Sequence, residues 1–235
     1  MSNRLPETDL ANWAMLPRSL QQKNLEAHEK PKSIPGSYEP FRRVFPDAIN
    51  QQFPLFGEVL ECSRWTEVER RLRQACKGNG DLIKMNREIL QATHAYAVAE
   101  GVTAQGIDVQ PLRFFGGTNY FFGLSMIVRY PTKASVVFLD MRRKGLSPAG
   151  RLFTFSALHH RFREAYPDLA KANLEIWRYQ SNASRSLVCV EPDQPLLTWD
   201  EMTSRVIATH KIWEDVRRGG SEDRRSSGTY GPLFD

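Results

Sequence analysis

The run Pro111-Leu-Arg-Phe-Phe-Gly-Gly-Thr-Asn-Tyr120, continued through Ser135-Val-Val-Phe-Leu-Asp-Met-Arg-Arg-Lys-Gly145 to Tyr179, decides the fold. Leu112 to Phe115, Tyr120 to Tyr130 and Ser135 to Met141 are rich in aromatic and β-branched residues. Gly116-Gly117 and Pro131-Thr132 separate them with turn chemistry, which predicts three neighbouring antiparallel strands. Ser147-Pro148 then starts a helix, with serine at the N-cap and proline at N1, where a missing amide costs nothing. Leu152, Phe155, His159, Phe162 and Tyr166 fall on one face of it, and Pro167 stops it. Asn173 to Tyr179 and Ser186 to Glu191 read as two more strands across a polar turn. The expected class is α/β, a mixed central sheet flanked by helices.

Outward from this core, Asp81 is placed to cap a helix reaching about Glu100, with Leu82, Met85, Ile89, Ala92 and Tyr96 at helical spacing. Thr198-Trp-Asp-Glu201 is a capping-box pattern opening a helix to about Arg218, with Met202, Val206, Thr209, Trp213 and Val216 inward. Residues 1–55 carry Pro6, Pro17, Pro31, Pro35, Pro40, Pro46 and Pro54, a density that predicts an extended arm with short helices only at Leu10 to Leu16 and Ser19 to Glu29. Trp13, Phe41, Phe45, Phe53 and Phe56 are its expected anchors on this domain or on a partner. The organisation is therefore an arm over 1–55, one α/β domain over 56–218, and a tail over 219–235 that its composition marks as flexible.

With 41% hydrophobic and 25% charged residues, the chain has the composition of a soluble globular protein. No apolar run is long enough to suggest a membrane span, and the first residues lack a signal-peptide layout, which makes a cytoplasmic location the expectation. Cys62, Cys76 and Cys189 lie far apart, without the paired spacing of a zinc or redox site, and read as buried reduced thiols. The net charge of +5 favours an anionic partner.

Several site patterns are absent. There is no phosphate-binding Gly-x-x-x-x-Gly-Lys loop, no Gly-x-Ser-x-Gly elbow and no His-Glu-x-x-His. His159 and His160 diverge by about 100 degrees on an ideal helix and do not share a metal; His159 reads as a core histidine and His160 as pointing away from the core, near Arg163 and Glu164. What remains is Asp140 at the end of an apolar strand, followed by Arg142, Arg143 and Lys144. Arg151 lies in the next helix, whose N-terminus also favours anions. Asp140 is a strand-end carboxylate paired with Arg142 or Arg143 or capping the following turn, or else it is a metal ligand. Glu175 is expected to be exposed by alternation against Ile176.

The order helix, three strands, helix, strand over residues 81–179, with Asp140-Met-Arg142 in the place of an acidic-x-lysine element, resembles the core of the PD-(D/E)XK nuclease superfamily. The resemblance implies a divalent metal, magnesium, held by Asp140 and Glu88, with Arg142 as the catalytic cation. It implies a divergent metal-dependent nuclease that binds DNA or RNA through Arg142, Arg143, Lys144 and Arg151. Departures are evident: the second strand has no carboxylate, and arginine stands where lysine is expected. The competing expectation is a non-enzymatic interaction subunit that docks another protein through its N-terminal arm and its Trp199 to Arg218 helix.

Overall fold

A computed structural model describes residues 4–29, 37–52, 61–114, 117–182 and 185–226. In chain order the elements are α1 (Glu7–Trp13), α2 (Arg18–Glu29), α3 (Glu39–Ala48), β1 (Gln51–Gln52), α4 (Trp65–Ala75), α5 (Gly80–Ala99), β2 (Thr103–Gly106), β3 (Leu112–Arg113), β4 (Asn119–Tyr120), β5 (Met126–Arg129), β6 (Ala134–Asp140), α6 (Pro148–Leu158), β7 (Asn173–Tyr179), β8 (Leu187–Val190) and α7 (Trp199–Ser226). Six strands form a mixed sheet in the order β1-β2-β5-β6-β7-β8, and β3-β4 make a separate hairpin. The pairs β1-β2 and β6-β7 are parallel, and the remaining pairs of the sheet are antiparallel.

Helices cover both faces. Val136 and Phe138 of β6, with Leu174 and Ile176 of β7, enter one core beneath α1, α6 and α7. Val137 and Met141, with Trp177 and Tyr179, enter a second core beneath α3, α4 and α5. A central strand buried on both sides reads as a nearly unbroken apolar run, as Val136 to Leu139 does. For the same reason alternation does not expose Glu175. It faces the second core and is fully buried, against the sequence expectation.

The expected run of three adjacent strands is broken at Phe121 to Ser125. Gly123 sits at φ +85, and a Cβ there would lie 2.5 Å from Leu158 Cδ2 and 3.2 Å from the Val137 carbonyl. Close passage over α6 therefore bends the chain away from the sheet and leaves β3 and β4 as their own hairpin, turning through Gly117 at φ +78. The Gly116 half of that turn lies outside the described residues.

The proline-rich N-terminal segment is more regular than its composition suggests. Besides α1 and α2, it forms α3, with Pro40 in its first turn and Pro46 inside. Phe41, Val44, Phe45 and Ala48 follow the i, i+3, i+4, i+7 helical stripe and are all buried in the second core. Trp13, Phe41 and Phe45 thus act as intramolecular anchors; Phe53 and Phe56 lie outside the described residues. Ser147 caps α6 by accepting from the Gly150 amide at 3.0 Å, and Thr198 with Glu201 forms the expected capping box. Asn79, rather than Asp81, caps α5. At its far end α7 continues to Ser226, beyond the Gly219 boundary drawn from composition.

After α6 the helix widens into a π-helical segment, His159–Glu164. Its i→i+5 spacing turns side chains off the α-helical stripe. His160 is the buried member of the pair, bonded to Glu164 at 2.5 Å and to the Leu197 carbonyl at 3.0 Å, whereas His159 is partly exposed, reversing the sequence assignment.

Candidate functional site

Asp140 ends β6 fully buried. Its Oδ2 accepts from the Leu146 amide at 2.8 Å, so it caps the turn that follows, one of the two non-metal roles its position allows. Gly145, at φ +55, closes that turn, and a Cβ on it would meet Asp140 Oδ2 at 2.6 Å. The other oxygen, Oδ1, has no hydrogen-bond partner among the described residues. Burial pushes the Asp140 carboxyl above its ordinary pKa, against the Leu146 amide and the nearby charges of Arg178, Arg142 and Arg151.

Glu88 does not join Asp140. It belongs to α5, which covers the second core, whereas Asp140 shares the strand parity of Val136 and Phe138, which enter the first. Glu88 instead faces Arg143 at 3.6 Å, and Arg142 pairs with Asp9 of α1. The cations after β6 are therefore dispersed. Asn12 of α1 fixes the same loop, donating to the Gly145 carbonyl at 3.2 Å and accepting from the Ser147 amide at 2.9 Å. Among the described residues no three His, Cys, Asp or Glu side chains converge on one point, and the Asp140 and Glu88 pair does not fit a magnesium site.

Glu175 has the opposite surroundings. It accepts from Tyr130 at 2.6 Å, Ser135 at 2.7 Å and Trp177 Nε1 at 3.0 Å, and it meets Lys133 Nζ at 2.8 Å. Burial alone would raise its pKa; the Lys133, Ser135, Tyr130 and Trp177 donors outweigh burial and hold it below the ordinary value. The partners come from β6, β7 and the turn between β5 and β6, so the carboxylate is satisfied within the protein, as a buried structural carboxylate requires.

The surface feature that sequence reasoning missed lies at the break in the strand run. Phe121 is 48% exposed, a large aromatic facing solvent. Its amide donates to Glu7 Oε1 at 3.2 Å, and Arg4 and Arg161 place their guanidinium groups 5.6 Å and 5.7 Å from its ring. Arg161, in the π-helical segment, is itself buried. It donates to the carbonyls of Gln110 at 3.0 Å, Phe122 at 2.6 Å and Gly123 at 3.0 Å, and burial lowers its pKa to about 10. An arginine committed to backbone carbonyls thus holds the bent segment that presents Phe121.

Beside Phe121 runs a groove of 310 Å³. Leu124, Met126, Phe138, Leu139 and Met141 contribute apolar floor; Pro6 to Thr8 of the N-terminal segment form one wall, and Tyr38, Phe45 and Pro46 the other. Arg42 and Arg142 stand on its rim. Arg142 already has Asp9, whereas Arg42 is exposed and makes no ion pair among the described residues. In sequence, an aromatic beside a glycine in an otherwise apolar run reads as strand, so the groove had no local signal.

An apolar groove beside an exposed aromatic offers a surface on which a partner could dock. A family model described as "Sliding clamp-binding bacterial toxin SocB" matches residues 8–225, and the chain belongs to this family. It is 26% identical, over 99% of its own length and 98% of the relative's, to the DNA replication inhibitor toxin SocB of Caulobacter vibrioides (strain NA1000 / CB15N). No solved structure matches the chain. The nuclease resemblance is overturned by this membership, and the competing expectation of a protein-docking subunit is the one the family supports. No helix among the described residues is long and apolar enough to cross a membrane.

Proposed function

We propose that this chain binds a sliding clamp in the cytoplasm and thereby inhibits DNA replication. Family membership across residues 8–225 carries the reading, and the composition of the N-terminal segment suggests where contact would be made. Trp13, Phe41 and Phe45 are spent on internal packing, as is the inward face of α7 through Met202, Val206 and Trp213. Phe53 and Phe56, which lie outside the described residues, follow edge strand β1 in sequence together with Pro54 and Leu55. Two phenylalanines and a leucine within four residues supply the apolar anchors that dominate short-segment docking.

The test is direct binding of the purified chain to the recombinant clamp of its own organism, with inhibition of clamp-dependent DNA synthesis as the functional readout. The wild type binds and inhibits, and the double variant Phe53→Ala, Phe56→Ala loses affinity at least about tenfold, or ~1.4 kcal/mol. A wild type that neither binds the clamp nor slows synthesis overturns the reading. Retained affinity in the double variant overturns only the assignment to those two residues.

A further inference from the structure

Four residues of docking segment cannot by themselves supply the roughly 800 Å² per partner that a specific protein interface buries. A second contact is therefore expected close by. The Phe121 groove meets that need in position and chemistry. α3 carries Arg42, Phe45 and Pro46 along the groove, with its N-cap Tyr38 beside them, and leads by a short connection into β1, which Phe53 to Phe56 follow in sequence. Across the sheet, β1 pairs with β2 and β2 with β5, so two strand spacings, roughly 10 Å, separate β1 from groove residue Met126. A partner that engages the chain next to β1 is therefore within reach of the groove.

We propose that this groove is a second clamp-contact surface, accepting from the clamp an apolar side chain with a carboxylate beside it; the proposal rests on the clamp reading above. The apolar part follows from the floor of Leu124, Met126 and Phe138, with Phe121 as the exposed edge. Charge complementarity supplies the acidic part. Among the described residues Arg42 is the rim cation without a carboxylate, whereas Arg142 has Asp9, and Glu7 is committed to Arg4 at 3.2 Å and to the Phe121 amide. Phe121 is not adventitiously exposed: the Glu7 hydrogen bond and two flanking guanidinium groups hold it in place before any partner arrives, which limits the ordering cost of association.

Affinity for the recombinant clamp is measured for the wild type, Phe121→Ser, Arg42→Ala and Arg42→Glu, with circular dichroism and melting temperature for each. Phe121→Ser and Arg42→Glu each weaken clamp binding at least about tenfold, Arg42→Ala weakens it by a smaller factor, and both Arg42 variants flatten its salt dependence. Arg42 is solvent-exposed and makes no ion pair among the described residues, so its variants keep the wild-type melt and decide the matter even if Phe121→Ser softens the fold. Wild-type affinity in Arg42→Glu and in a folded Phe121→Ser overturns the groove as a clamp contact while the function above stands. A wild type without clamp affinity removes both.

Discussion

Two buried carboxylates on neighbouring strands, Asp140 of β6 and Glu175 of β7, have opposite fates. Glu175 faces the second core with three hydrogen-bond donors and Lys133 around it, and its pKa is held low. Among the described residues Asp140 has one backbone donor and an unpartnered oxygen, and its pKa is pushed up. Burial opposes ionisation in both, so the number of donors decides the direction. Acidity near a basic cluster drew attention to Asp140 in the sequence, yet the better hydrogen-bonded anion is the buried Glu175. A perturbed carboxylate in this protein is a structural element first.

The contrast yields three predictions in order of effect. Glu175→Ala leaves the Tyr130, Ser135 and Trp177 donors without their acceptor; Lys133 is partly exposed and retains Glu191 at 2.7 Å, so its loss counts for little. At about 1 kcal/mol for each buried donor, the variant loses about 3 kcal/mol, read as a fall in Tm of roughly 6–12 °C. A Tm within 2 °C or so of wild type would show that the cluster is solvated and that the contrast fails.

Gly145→Ala comes next. The alanine must hold φ +55 and displace Asp140 Oδ2 from the Leu146 amide, together costing about 2 kcal/mol by denaturant unfolding. Combining it with Asp140→Ala removes the contact at 2.6 Å and makes the two changes less than additive.

The smallest effect has the opposite sign. Asp140→Asn keeps an acceptor for the Leu146 amide and removes a buried charge, so at neutral pH the variant is as stable as the wild type or more stable by up to about 1 kcal/mol. The raised pKa of folded Asp140 means that its ionisation disfavours the fold as pH rises through the folded value. The advantage of Asp140→Asn is therefore full at neutral pH and fades as acid protonates the wild-type side chain. Glu175→Gln behaves conversely. Because the folded pKa of Glu175 is depressed, its contribution is present above the unfolded value near pH 4 and is lost as pH falls through the folded value. Parallel pH curves for the two variants would contradict the assigned directions.

Much of the fold could be read from local signals because those signals are steric and periodic. Ser147-Pro148 fixed the start of α6, Thr198 to Glu201 that of α7, and the apolar run from Val136 to Leu139 a doubly covered strand. The stripe Phe41, Val44, Phe45, Ala48 was also present, but proline density around it suggested an extended chain; burial of all four side chains outweighs the amide that Pro46 removes from α3. The candidate site was less accessible. Asp140, Glu88 and the following cations are close in the sequence pattern, yet their strand and helix lie against different cores, and each loop arginine finds a carboxylate on another element.

By itself the sequence determined the α/β class, the capped helix starts and the apolar strands, since these depend on backbone chemistry and on residues a few positions apart. Tertiary structure alone decided which carboxylate is satisfied, that His160 rather than His159 turns inward, and that Phe121 stands beside a groove with Arg42 at its rim. Those outcomes depend on contacts between Arg4, Glu7, Phe121 and Arg161, or between Lys133, Ser135 and Glu175, whose partners come from distant parts of the chain and meet only when both faces of the sheet are covered.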